Sequence, residues 1–112
     1  MKGDGLMSKV VVHVDEPEKV AMAIGNVQNL LAALPTSTVV VVVNGPAITA
    51  LADGAFDSLL TTYPQVEVDA CHHAMRSHQL TTADLPAHVT VVPAGVVRLV
   101  TLQEQGYCYL RP

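Results

Sequence analysis

Thr38-Val39-Val40-Val41-Val42-Val43-Asn44-Gly45-Pro46 is the stretch that decides the fold. Its β-branched residues favour a strand. Because the strand is apolar on both faces, it must be covered on both sides, as strands of parallel sheets are. Asn44-Gly45-Pro46 then turns sharply into a helix, with Pro46 at a first helical position where its missing N–H costs nothing.

The same pattern repeats along the chain. Lys9-Val10-Val11-Val12-His13-Val14 reads as a first strand. Asp15-Glu16-Pro17-Glu18 predicts a helix start, with a capping acid and an early proline. Val20, Ile24, Val27, Leu31 and Leu34 share one helical face, and Pro35 stops that helix. Ile48, Leu51, Ala52, Ala55 and Leu59 predict a second helix, weakened in its middle by Gly54 and ended at Tyr63-Pro64. Val66 to Ala70 alternates as a third strand and leads into Cys71, with a short helix from His72 to about His78. Thr82 to Pro86 reads as a turn.

Val89 to Val92 is a fourth strand, ended by Pro93. A last helix spans Gly95 to Gln105, with Val96, Leu99, Val100 and Gln103 facing inward or towards a partner, and Gly106 as its terminal glycine. Tyr107 to Leu110 is a fifth strand. There Cys108 reads as a buried packing residue, with Tyr107 and Tyr109 on the opposite face. Alternating strands and helices predict an α/β fold: one three-layer domain with a mostly parallel five-stranded sheet and helices on both faces.

Composition narrows the function. Half of the 112 residues are hydrophobic and 14% are charged, which suits a folded core and surfaces buried between subunits. Six Lys and Arg against ten Asp and Glu leave no basic stripe, so neither nucleic acid nor an anionic membrane is an expected partner. No apolar run approaches the roughly 20 residues of a membrane span. Residues 1–7 read as a loose leader without signal-peptide character, and the expected location is the cytoplasm. Two cysteines in such a chain read as free thiols.

Ligands of such folds bind beyond the carboxyl ends of the strands. His13, Asn44, Gly45, Cys71 and Gly95 all fall there. Cys71, at a strand-to-helix junction, reads either as a nucleophile or as a small buried hydrophobe. His72 or His73 could tune the thiol, though adjacent residues point in different directions and only one can serve. His78, about two turns on, is expected to lie out of reach. Asp69, the acid nearest to Cys71, would oppose a thiolate if it faced the site, so it reads as part of the strand end.

Asn44-Gly45 offers backbone N–H groups to an anion or simply makes a tight turn. Gly95 is open to the same two readings. Cys71 with His13, His72 and His73 lacks any standard zinc spacing, so no metal is expected. Without a GxGxxG or Walker loop, no nucleotide or other cofactor is implied.

In order and spacing, Lys9 to Val14, Asn44-Gly45-Pro46, Val68-Asp69-Ala70-Cys71, Val91 to Val96 and Leu102 to Pro112 resemble the DsrE/DsrF-like family, the YchN-like fold, in its small single-domain branch. The resemblance covers roughly Lys9 to Pro112, so residues 8–112 would be one such domain. It implies a homotrimer or homohexamer. It also implies a cysteine after the third strand, here Cys71, that carries sulfur as a persulfide between a donor and an acceptor protein. His72 and His73 depart from the small or amide residue that often follows this cysteine in relatives. The competing expectation is a non-enzymatic oligomer that binds a small ligand or anion, with an unreactive Cys71 in the pocket wall.

Overall fold

The valine-rich runs form the centre of the sheet. The computed structural model describes residues 8–112, and the expected leader lies outside them. The strands are β1 (Lys9–Val14), β2 (Thr38–Val43), β3 (Glu67–Cys71), β4 (Thr90–Val92) and β5 (Cys108–Leu110). They lie in the order β4-β3-β2-β1-β5, and every neighbouring pair is parallel. The helices are α1 (Val20–Ala33), α2 (Ile48–Ala52), α3 (Asp57–Thr62), α4 (His72–Ser77) and α5 (Gly95–Glu104).

The strand order explains the layers. From β1 to β4 each connection steps the same way along the sheet, and a right-handed crossover keeps those helices on one face. The step from β4 to β5 runs the other way, so the same handedness sends α5 across the opposite face. Two cores follow. On the first face Val10, Val12, Val14, Val39, Val41 and Val43 pack against Leu31, Ile48, Leu51, Leu59 and Met75. On the second, Val11, Val40 and Val42 pack against Leu99, Leu102 and Tyr107. Val39 to Val43 are all buried, as a strand covered on both sides requires.

The local differences from expectation have physical causes. The second helix is two helices, because Gly54 takes φ +78, which a continuing helix cannot hold. The break brings Phe56 into the core at 2% exposure. A mid-helix glycine costs about 1 kcal/mol, whereas burying a large apolar side chain gains about 1.5–3 kcal/mol, so the break is favoured.

Among the described residues no side chain caps the first helix. Pro17–Lys19 forms a 3-10 turn and α1 begins at Val20. The backbone carbonyl of Asp15 accepts the Ala47 N–H at 3.2 Å, and its carboxylate pairs with Arg111 at 3.2 Å. Along α1, Ala23 lies in the buried stripe, whereas Leu34 sits past the helix end and is exposed.

In α5 only Leu99 and Leu102 are buried side chains facing the sheet; Val96, Val97 and Val100 point outward. Cys108 is exposed rather than buried, because β5 is an edge strand.

Candidate functional site

The connections diverge at the carboxyl ends of β3 and β4. From β3 the chain passes to α4 on one face, and from β4 to α5 on the other. Such a divergence opens a crevice where ligands bind in α/β sheets. A cleft of about 290 Å³ lies there, lined by Asn44, Gly45, Cys71, His73, Ala74, Ser77, His78, Ala94, Gly95 and Val96. Its size suits a small ligand rather than a drug-sized one.

Cys71 ends β3 in extended backbone (φ −71, ψ 117) and is 6% exposed, so its side chain belongs to the cleft wall and not to the open surface. Ala74 beside it is buried, while His73, Ser77 and His78 are exposed on the rim.

Two glycines allow the chain to close in on this cleft. Gly45 has φ +54, a region that disfavours a side chain, and a Cβ there would lie 3.1 Å from the Asp15 carbonyl oxygen. A Cβ at Gly95 would stand 3.1 Å from Asn44 Cβ and 3.3 Å from Cys71 Cβ. Glycine lets the first turn of α5 approach Asn44 and Cys71 this closely without displacing either by a few tenths of an ångström. That turn leaves N–H groups without partners in the helix, and Ala94 at its cap supplies no side-chain acceptor.

Arg98, one turn further along α5, bolts the helix to β3. Its Nε donates to Asp69 Oδ2 at 2.8 Å and its NH2 group to Glu67 Oε2 at 3.1 Å. One guanidinium therefore serves two carboxylates on the same face of one strand. The Asp69 side chain is fully buried, and its other oxygen, Oδ1, has no hydrogen-bond partner among the described residues. Burial, first, and the neighbouring Glu67 carboxylate, second, push Asp69 up to about 7. Glu67 is lowered, chiefly by the neighbouring Asp69 carboxyl. Asp69 is thus occupied with Arg98 and does not line the cleft.

The sequence-derived candidates separate into three positions. Cys71, His73, Asn44, Gly45 and Gly95 share the cleft. His72 is exposed and does not line it. His13 stands behind it: Nε2 bonds Asn44 Oδ1 at 2.9 Å, and Nδ1 bonds the Tyr109 hydroxyl at 2.6 Å. His78 reaches the rim, because α4 stops at Ser77 and the chain turns back through Gln79 at φ +59. Reasoning from sequence missed Tyr109 and Arg98 as supports of the cleft. Among the described residues no three of His, Cys, Asp and Glu gather closely enough to hold a metal ion, and no helix is long and apolar enough to cross a membrane.

No protein-family model and no curated protein matches the chain. Among solved structures, a protein of unknown function, MTH1491 from Methanobacterium thermoautotrophicum, superposes with a TM-score of 0.84. It is 30% identical, over 94% of this chain and 99% of that one.

Proposed function

We propose that this chain, which belongs to the same family as the methanobacterial MTH1491 protein, is a sulfur carrier that relays sulfane sulfur as a persulfide on Cys71. The observation that carries this reading is the placement of Cys71 in a small cleft at the carboxyl edge of the sheet, beside the Asn44 amide and the uncapped first turn of α5. Hydrogen-bond donors beside a thiol favour its anionic, attacking form. The resemblance to the DsrE/DsrF-like family points to the same residue.

The chemistry needs no outside oxidant. The Cys71 thiolate attacks the terminal sulfur of a donor persulfide. The donor S–S bond breaks, and the donor leaves as a thiolate. An acceptor thiolate then attacks the outer sulfur on Cys71, and Cys71 leaves as a thiolate in turn. His73 on the rim is placed to exchange protons with the incoming and leaving groups; His72, turned to solvent, is not. The partners are a sulfur donor protein and an acceptor protein, in the cytoplasm.

The outer valines of α5 support self-association as a homotrimer or homohexamer. Val96, Val97 and Val100 are 63%, 62% and 51% exposed, and Val96 also lines the cleft. An assembly through this helix would therefore border the site.

The 6% exposure of Cys71 also favours a second reading, a small-ligand or anion pocket with an inert thiol in its wall. Intact-protein mass spectrometry after exposure to a sulfane-sulfur donor separates the two. Cys108 is exposed and would load indiscriminately, so the comparison uses a Cys108→Ser background. Addition of one sulfur that disappears on Cys71→Ser supports the carrier. A folded protein that never loads at Cys71 supports the pocket.

A further inference from the structure

We propose that Tyr109 and His13 are positioning residues that turn the Asn44 amide N–H groups into the Cys71 cleft. Hydrogen-bond polarity sets the orientation of the three side chains. Asn44 Oδ1 can only accept, so the ring nitrogen facing it at 2.9 Å, His13 Nε2, carries the proton. In the neutral ring Nδ1 is then an acceptor, and the Tyr109 hydroxyl donates to it at 2.6 Å. Holding the carbonyl end of Asn44 towards His13 leaves its amino end on the other side. That end lies 3.4 Å from the position of a Gly95 Cβ, and Cys71 Cβ lies 3.3 Å from the same point. The opposite orientation would place a carbonyl oxygen beside the thiol, where it would repel a thiolate and any other anion.

The backbone positions both ends of this chain of contacts. Tyr109 reaches His13 through the parallel register of β5 on β1, in which Val11 pairs with Tyr109. Asn44 is anchored by its own N–H, which donates to the Val14 carbonyl at 3.0 Å. Its side chain makes no capping bond to the turn that follows, so it is free to answer to His13.

This deepens the proposed function, because it concerns the same thiol, but its test involves no sulfur transfer. The test is the pH–rate profile of Cys71 alkylation by iodoacetamide in the Cys108→Ser protein. His13→Gln keeps an N–H donor at the reach of Nε2 and is expected to stay within about twofold of the parent rate. His13→Phe keeps the flat bulk but loses the donor, and is expected to slow alkylation about tenfold at neutral pH, the effect of one lost hydrogen bond, with the profile moved to higher pH. Equal rates in the two variants would overturn the proposal, because shape alone would then suffice.

A measurement on the unaltered protein guards against variants that misfold. The ¹⁵N spectrum of the His13 ring is expected to show a protonated Nε2 and an acceptor Nδ1. The reverse tautomer would refute the assignment. Failed sulfur loading together with the expected alkylation pattern would overturn the carrier reading and leave this one standing.

Discussion

Asp69→Asn tests the buried carboxylate under α5. In the folded protein Asp69 holds its proton up to about pH 7, whereas its ordinary value is 3.8. A carboxyl raised on folding contributes stability that is full below 3.8 and is lost as pH rises through 7. One proton is worth up to about 1.4 kcal/mol per pH unit, so between pH 5 and 8 the loss approaches about 3 kcal/mol. Relaxation of the buried site brings the expectation to about 1–3 kcal/mol. Glu67 is lowered from 4.5, so its contribution changes below pH 5 and stays constant across this window.

Asparagine mimics the protonated acid. Its oxygen accepts from Arg98, and its amino group occupies the place of the partnerless Oδ1. The variant should match the parent at pH 5 and exceed it by about 1–3 kcal/mol at pH 8, or very roughly 4–12 °C in Tm for a domain of this size. Urea denaturation followed by circular dichroism at pH 5, 6, 7 and 8 measures this. The five histidines are common to both proteins and cancel in the difference. Parallel stability profiles for the two proteins would refute the account of a buried carboxyl that holds its proton.

Other substitutions probe the cleft and the assembly. Gly45→Ala places a side chain at φ +54 against the Asp15 carbonyl and should cost about 1–2 kcal/mol in denaturant unfolding; an unchanged midpoint would mean that the turn relaxes freely. Gly95→Ala inserts a methyl between Asn44 and Cys71. It should leave stability within about 2 kcal/mol, since helix propensity offsets the crowding, while slowing Cys71 alkylation several-fold; an unaffected rate would show that the thiol is approached from another side. Val97→Asp with Val100→Asp should convert the assembly to monomer in sedimentation without loss of fold. A wild-type protein that sediments as a monomer would remove the assembly from the proposal.

Much of the fold was legible because its signals are local. Lys9–Val14 and Thr38–Val43 are strands with the expected ends, since β-branched runs bounded by Asp15, Ser37 and Asn44 admit few alternatives. The split at Gly54 was less legible, because the gain from burying Phe56 depends on packing that no periodicity reports. The cleft was partly legible for a topological reason: parallel strands end on the same side, so Cys71, Asn44 and Gly95 had to gather there. Its supports were not. Tyr109 and His13 are 96 residues apart, and Arg98 and Asp69 are 29 apart; both pairings follow from register and crossover direction, which leave no local trace. His78 departs from a straight extension of α4, because the helix ends at Ser77 and the chain turns back through Gln79.

Both edges of the sheet are strands of three residues, while the strands between them have five or six. A short edge offers few unpaired backbone groups to a neighbouring molecule, which limits uncontrolled growth by strand addition. The segment with the composition of a fibril former, Thr38–Val43, is shielded at the centre between β1 and β3. It becomes available only when the whole sheet opens. Native protein should therefore remain dispersed at high concentration, whereas heating through the unfolding transition exposes six consecutive β-branched residues at once and should lead to irreversible precipitation.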